Sequence, residues 1–140
     1  MWGFTVVVVG VTFYRSHRAT HASSDSRTVI ALSNATRDSV LAEMRAMLVS
    51  VNEILSASAH GDAAALRAAA AASGTAQTTA TLGSDLPAEF RNRAAGTHSL
   101  FDSVAVAVAA GAPRDTVTAR LARLTAGCTA CHVAYRLAAR

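Results

Sequence analysis

Apolar residues recur at intervals of three and four along the first half of the chain, the spacing that gathers side chains on one face of an α-helix. The stripe begins at Arg37 and continues through Val40, Leu41, Met44, Met47, Leu48, Val51, Ile54 and Leu55. The charged residues Asp38, Glu43 and Glu53 fall elsewhere on the helical wheel. The pattern predicts a first helix over residues 27–58 with Gly61 as its stop, and a less regular beginning over residues 28–34.

Capping residues and helix breakers indicate two further helices. Asp62 is a good N-cap for an alanine-rich run over residues 63–73, whose end we place no later than residue 81. Ser84-Asp85-Leu86-Pro87 then predicts a helix start, with proline in the first turn. One stripe of this third helix contains Phe90, Ala94, His98, Phe101, Val104, Ala105 and Val108. Gly96 inside it is either tolerated at a cost of about 1 kcal/mol or allows close passage of another backbone or a flat cofactor.

Gly111-Ala112-Pro113 ends the third helix and opens a fourth. The apolar stripe of the fourth helix also carries the cysteines of the chain: Val117, Leu121, Leu124, Cys128, Cys131, His132 and Tyr135. Four helices with short connections predict an all-α fold, an antiparallel four-helix bundle over residues 23–140.

Composition agrees with a helical protein of one domain. Of the 140 residues 51% are hydrophobic and only 5% aromatic, which favours helices packed through small side chains over a sheet sandwich. All 13 basic residues are arginine, and the formal net charge is +4. Because the arginines are scattered, we expect ordinary solvated faces and no nucleic-acid partner.

An apolar run covers residues 2–14 at the amino terminus. It is too short to span a bilayer comfortably but suits the apolar region of a secretory signal, so residues 1–22 are expected to be a signal peptide or an N-terminal anchor. Arg15 and Arg18 follow the run, where a signal peptide usually has its basic residues before it. The protein is therefore associated with a membrane only if this segment stays uncleaved.

Cys128-Thr129-Ala130-Cys131-His132 has the spacing of a c-type haem attachment site. In such a site each thiol adds across one haem vinyl group to form a thioether, and the adjacent histidine becomes the proximal ligand of the iron. On a helix, residues i, i+3 and i+4 share a face, so all three side chains would point at one porphyrin. The motif predicts one covalently attached haem c.

Two other chemistries use the same cysteine spacing. A thioredoxin-like dithiol normally lies beside a βαβ pattern, and the sequence around Cys128 and Cys131 shows no β alternation. A structural zinc site needs four ligands, and the nearest other histidine is His98, with no second cysteine pair in the chain. Both interpretations are weaker than haem attachment.

The string Cys-Thr-Ala-Cys-His-Val-Ala-Tyr-Arg, which ends at Arg136, resembles the Cys-x-x-Cys-His-x-x-Tyr-Arg signature of the class II c-type cytochromes, the cytochrome c′ family. A haem site on the last of four helices is also similar to that family. The resemblance implies Cys128 and Cys131 as thioether anchors and His132 as axial ligand. It implies a haem-side position for Arg136, whose alternative is a solvated charge at a helix end.

The ligand opposite His132 decides what such a haem does. Low-spin, six-coordinate relatives carry a methionine on the first helix followed by a basic residue, and Glu43-Met44-Arg45 looks similar. Met44 is therefore the candidate sixth ligand and Met47 the fallback, although methionines on an apolar face equally suit core packing. His98 is a further candidate, more typical of a hydrogen-bonded core histidine.

The sequence thus predicts an exported, periplasmic electron carrier with one haem, an unidentified redox partner protein and no enzymatic activity. The alternative is a five-coordinate protein that binds nitric oxide or carbon monoxide, with the distal side closed by Leu41, Leu48 or a displaced methionine. A dithiol exchange protein is the remote alternative. The resemblance also allows a homodimer.

Overall fold

A computed structural model describes residues 25–77 and 86–140. These residues are mostly helical, which confirms the predicted helical class. The elements in chain order are strand β1 (Thr28–Leu32), helices α1 (Asn34–His60), α2 (Ala63–Ala71), α3 (Ala88–Ala109) and α4 (Arg114–Ala134), and strand β2 (Tyr135–Ala139). The predicted signal or anchor segment, residues 1–22, lies outside the described residues. Within the described ranges, no helix has the length and apolar character needed to cross a membrane.

Helix α1 begins seven residues later than the sequence predicts. Ser33 is its N-cap, and the Ser33 hydroxyl accepts a hydrogen bond from the Thr36 backbone N–H at 3.1 Å. Gly61 ends the helix as predicted, with a φ of 72° that a residue without Cβ adopts at little cost. The irregular stretch before the cap is β1, whose Thr, Val and Ile residues favour an extended backbone.

Helix α2 is shorter than its alanine run suggests. Asp62 caps it as expected by accepting from the Ala65 N–H at 2.9 Å, but it ends at Ala71 and is followed by a 3₁₀ turn over Thr75–Gln77. Asp102 on α3 accepts hydrogen bonds from Thr75, at 3.1 Å from the backbone N and 2.6 Å from Oγ1. A Cβ at Gly74 would overlap the Asp102 carboxylate, so a larger residue here would displace the side chain that holds the 3₁₀ turn. Residues 78–81 lie outside the described ranges.

Prolines precede the last two helices. Pro87 and Pro113 are the N-cap residues of α3 and α4, and neither helix has a side-chain cap hydrogen bond. Gly111, with a φ of 67°, makes the turn between them. Both helices therefore begin within a few residues of the predicted positions; Ser84 and Asp85 of the predicted cap are not described.

The prediction that the last helix continues through Tyr135 is wrong. Tyr135 has φ −127° and ψ 152°, and it opens β2, which pairs in parallel with β1. Thr28 lies opposite Tyr135 and Leu32 opposite Ala139, and the Arg140 N–H donates to the Leu32 carbonyl at 2.9 Å. Pairing with a strand more than 100 residues away therefore overrides the local helical pattern.

Buried apolar side chains form two separate cores. The first joins all four helices and is centred on Ile54, Phe101, Val104 and Leu124, each with no exposed surface. The second lies beneath the strands and contains Ile30, Leu32, Val40, Leu86 and Phe90. Helix α1 packs along α2, α2 along α3, and α3 along α4. The two cores leave a cleft between α1 and the α3–α4 pair.

Candidate haem-binding cleft

The cleft has a volume of about 800 Å³ and lies between three helices. Its α1 wall includes Leu41, Met44, Met47, Leu48 and Val51, and α3 contributes Phe90, Ala94 and Leu100. The last two turns of α4 form the remaining wall. Apolar side chains therefore make up most of the lining.

The structure brings Cys128, Cys131 and His132 together on the α4 wall. Both thiols are half-buried and His132 is exposed. Cys128 packs against the first core and Cys131 against the second. The two cysteines thus stand on either side of the division between the cores, at the back of the same cleft.

Burial raises the pKa of both cysteine thiols above its ordinary value. The nearby Arg93 charge lowers the pKa of Cys131, but less than burial raises it. Reactive dithiols instead have a depressed pKa, often at a helix amino terminus, whereas these cysteines are near the carboxyl end of α4. Their environment favours protonated thiols and does not resemble an activated thiolate pair.

Met44 and Met47 both line the α1 wall, across the cleft from the cysteine–histidine wall. Each is half-buried; Met44 packs against the second core and Met47 against the first. Both candidate sixth ligands therefore face the same space as His132, and the preference for Met44 stays a prediction.

Gly96 on α3 also lines the cleft. Apart from its own stretch of helix, no heavy atom lies within 4 Å of the position that a Cβ on Gly96 would occupy. No other backbone passes close to this glycine, which leaves tolerance and the approach of a flat cofactor as the two interpretations. A side chain at this position would reduce the open volume of the cleft.

Arg93 is a cleft residue that the sequence analysis missed. Its guanidinium pairs with Glu89 at 2.8 Å and lies 6.0 Å from the centre of the Tyr135 ring. The side-chain hydrogen bond to Glu89 is the main cause that raises the pKa of Arg93. The i, i+4 spacing of Glu89 and Arg93 was a sequence signal for this pair, but not for its place at the cleft. Arg45 brings a second guanidinium to the lining.

Arg136 lies on β2 and is not part of the cleft lining. Its Nε is 3.8 Å from Asp25 Oδ2, on the amino-terminal side of β1. The residue therefore has a carboxylate neighbour that the sequence did not indicate, and its predicted haem-side role stays a prediction.

His98 is a hydrogen-bonded core residue and does not line the cleft. Its side chain is 3% exposed; Nδ1 is 2.8 Å from the Ser73 carbonyl oxygen and Nε2 is 3.0 Å from Glu43 Oε1. Nδ1 makes the hydrogen bond, in agreement with the structural interpretation of this histidine, whereas Nε2 has the Glu43 carboxylate nearby but no hydrogen bond to it.

The cleft residues fit a haem. The volume lies within the range of roughly 300–1,000 Å³ typical of small-molecule sites, and the lining is apolar with a few polar groups. Two thiols and an imidazole stand on one wall and two thioethers on the opposite wall. Zinc fits less well, because no three His, Cys, Asp or Glu side chains in residues 25–77 and 86–140 form a metal-binding group.

Comparison with known proteins adds no relative. No protein-family model matches the chain, and neither a curated protein nor a solved structure matches it.

Proposed function

We propose that this chain is a c-type haem protein that carries single electrons, with one haem c attached to its last helix. The observation that carries the proposal is the meeting of Cys128, Cys131 and His132 on one wall of an apolar cleft of about 800 Å³. The spacing of the three residues supports covalent attachment, and the cleft supports burial of a flat apolar group.

Cys128 and Cys131 have the role of anchors. Each S–H bond adds across a vinyl double bond: the sulfur binds one carbon and the hydrogen goes to the other, so that two thioethers form without an external oxidant. Their raised pKa values and half-buried positions suit neutral thiols that end as permanent linkages.

His132 on the α4 wall would hold the iron, and Met44 on the α1 wall is the preferred residue for a second ligand. When bound, haem supplies an iron that alternates between the ferrous and ferric states. The apolar walls exclude water, and a histidine–methionine ligand pair raises the reduction potential. Arg45 is a cation at the lining that would offset a haem propionate, whereas the second lining guanidinium, Arg93, is already paired with Glu89.

We infer that the four helices alternate in direction, as in an antiparallel bundle. The connections Gly61–Asp62 and residues 110–113 are short, which favours antiparallel neighbours. Covalent haem attachment generally takes place outside the cytoplasmic membrane, so the proposal also places the mature protein in the periplasm, with a redox protein as its partner.

Binding of nitric oxide or carbon monoxide is the second candidate. The observation that favours it is that Leu41, Leu48 and Val51 flank the methionines on the α1 wall. If neither thioether binds the iron, these aliphatic side chains face the distal side and leave the sixth position open to a diatomic gas.

The mass of the intact protein tests the attachment. The chain is produced in a host that matures c-type cytochromes and is then extracted with acid acetone, which removes haem that is not covalently bound. We expect the mass of the chain plus one haem, and the mass of the bare chain in the matched variant C128A/C131A. A bare unmodified chain would contradict the proposal and favour the dithiol alternative.

Visible spectra of the same protein separate the two haem functions. Electron carriage predicts a low-spin spectrum in both oxidation states and slow carbon monoxide uptake by the ferrous protein. A high-spin spectrum with rapid carbon monoxide uptake would instead support gas binding.

A further inference from the structure

We propose that Arg27 is a positioning residue for the axial histidine, which it holds through the backbone of His132. This inference rests on the proposed function, because it assigns His132 to the iron. Asp25 and Arg27, in the segment before β1 that carries no sequence motif, thereby become part of the haem site.

The contact is a hydrogen bond to the main chain at the end of α4. Arg27 Nη1 donates to the His132 carbonyl oxygen at 3.1 Å, across 105 positions of sequence. The last four carbonyls of a helix lack partners within the helix. The Cys131 carbonyl accepts from the Tyr135 N–H, and Arg27 supplies the donor for the next carbonyl along the chain.

Asp25 fixes the direction of the Arg27 guanidinium. Arg27 Nε lies 2.9 Å from Oδ1 and 3.0 Å from Oδ2 of Asp25, and Nη2 lies 2.6 Å from Oδ2. The Arg27 backbone N–H also donates to Asp25 Oδ1 at 3.1 Å. Because the carboxylate binds Nε and Nη2, Nη1 is the guanidinium nitrogen that reaches α4. The side chain is already held in place by Asp25, so the bond to His132 costs little further conformational entropy.

The strand register brings Arg27 and Thr28 next to the end of α4. Arg27 directly precedes β1, and Thr28 pairs with Tyr135, three residues after His132. The parallel pairing continues to Leu32 and Ala139. The position of Arg27 is therefore set by the sheet and not by a flexible tail, and any shift of the sheet would move the end of α4 with it.

Two consequences follow for the haem. A hydrogen bond to the His132 carbonyl limits motion of the last turn of α4 and so fixes the backbone position from which the imidazole extends. The Arg27 guanidinium also compensates the Asp25 carboxylate; without it, a less well compensated negative charge near the axial ligand would favour the ferric state and lower the reduction potential. The favourable placement of a cation at a helix carboxyl end adds to the stability of this turn.

The test compares Arg27→Gln with Arg120→Gln in the full-length matured protein. Arg120 makes the same kind of bond elsewhere, from Nη1 to the Ser103 carbonyl at 3.2 Å. For Arg27→Gln we expect a lower midpoint potential and shifted proton resonances of the axial histidine in the ferric protein, and for Arg120→Gln neither change. Unchanged potential and histidine resonances in Arg27→Gln, or equal changes in both variants, would overturn the proposal.

Two further variants separate charge from geometry. Arg27→Lys keeps the cation without the fork, and we expect it to restore most of the potential but not the histidine resonances. Asp25→Asn keeps Arg27 but weakens its anchor, and we expect shifted histidine resonances. Histidine resonances like those of the unmodified protein in both variants would contradict a positioning role.

Hydrogen exchange tests the positioning role of Arg27 independently of whether haem is attached. Amide exchange over residues 131–136 is measured on each purified chain by mass spectrometry, whether or not haem is attached. We expect several-fold faster exchange there in Arg27→Gln than in the unmodified chain, and no change in Arg120→Gln. If the unmodified chain lacks haem, the proposed function fails; if exchange is unaltered by Arg27→Gln, the positioning role fails.

Discussion

Met44 and Met47 are separated by one turn of α1, and each lies where the cleft meets a different core. Met44 packs with Cys131 against the second core, and Met47 packs with Cys128 against the first. The same residue type thus occurs, half-buried, at the edge of each core. Only the chemistry of the iron distinguishes a ligand from a packing residue here, because a flexible thioether fills either site well.

The first prediction assigns the sixth ligand. Met44→Leu and Met47→Leu nearly conserve side-chain volume, so each is expected to cost less than about 1.5 kcal/mol in stability. We expect Met44→Leu to abolish the long-wavelength ferric absorption band of methionine ligation and to lower the potential, and Met47→Leu to leave both unchanged. The visible spectrum of the ferric protein measures this. The reverse pattern would make Met47 the ligand.

The second prediction concerns Asp25 and acid. Hydrogen bonds from the Arg27 side chain and then from its backbone N–H lower the pKa of Asp25 from 3.8 to about 2. A carboxyl with a depressed pKa in the folded protein stabilises the fold at pH values above its pKa in the unfolded chain. That stabilisation is lost as the pH falls towards the pKa in the folded protein. We expect the difference in the free energy of unfolding between the unmodified chain and Asp25→Asn to be constant above pH 5 and to shrink between about pH 4 and pH 2.

The control for this measurement is Asp38→Asn. Asp38 is exposed and lies 3.5 Å from Arg37, a type of surface pair that contributes little to stability. Its substitution should change the free energy of unfolding only slightly at any pH. A difference for Asp25→Asn that stays constant down to pH 2 would contradict the assigned pKa.

At the scale of elements, the change from α4 to β2 at Tyr135 determines which residues after Ala134 are buried. A helix continued past Ala134 would place Val133 and Leu137 on one face, because residues i and i+4 are neighbours on a helix surface. In the structure Val133 is 76% exposed, whereas Leu137 packs against the second core. The strand therefore places Val133 in solvent and Leu137 against the second core, whereas a helix would place both on the same face.

The third prediction uses that difference. Leu137→Ala is expected to lower the free energy of unfolding by about 1–2 kcal/mol, below the usual range for a fully buried leucine because Leu137 is only partly buried. Val133→Ala should change it by no more than about 0.5 kcal/mol. Thermal or denaturant unfolding of the two variants measures this. Equal, small effects would indicate that the helix continues.

The fourth prediction tests the α3 wall. Gly96 lines the cleft with open space at its Cβ position, whereas its neighbour Ala95 is exposed and not part of the lining. Gly96→Phe should lower the share of the chain that carries haem several-fold, and Ala95→Phe should leave it unchanged. Intact mass reports the share, and the thermal midpoint shows whether both variants fold. Equal haem loading would mean that the cofactor does not approach α3 here.

The same elements show what local sequence can and cannot predict. The stops at Gly61 and Gly111 and the cap at Asp62 are encoded by the residues at the turn itself, so the helices were predictable. The strand pairing was not, because the partners of β2 lie over 100 residues earlier and its own residues suit a helix. The contact between Arg27 and His132 depends on that pairing, which is why no motif indicated it. The cysteine–histidine wall was predictable because its three residues belong to one helix.

At the scale of the whole molecule, the cleft makes one part of α1 less well packed than another. The carboxyl half of α1 is held by the first core through Ile54 and Ala57. Its middle, residues 41–51, supplies the α1 wall and on that side faces the cleft instead of another helix. A bound group that contacts both walls would therefore stabilise residues 41–51 of α1 more than it stabilises the first core.

The fifth prediction follows from that unequal support. In the variant C128A/C131A, amide exchange over residues 41–51 should be at least about tenfold faster than in the haem-loaded protein, a difference of about 1.4 kcal/mol in local opening. Exchange over residues 101–107 of α3 should change much less, because Phe101 and Val104 are fully buried in the first core and do not line the cleft. The comparison is made by mass spectrometry on peptides from both regions of the same sample. A uniform increase over both regions would show that attachment stabilises the molecule as one cooperative unit, and no increase over residues 41–51 would show that α1 does not contact the attached group.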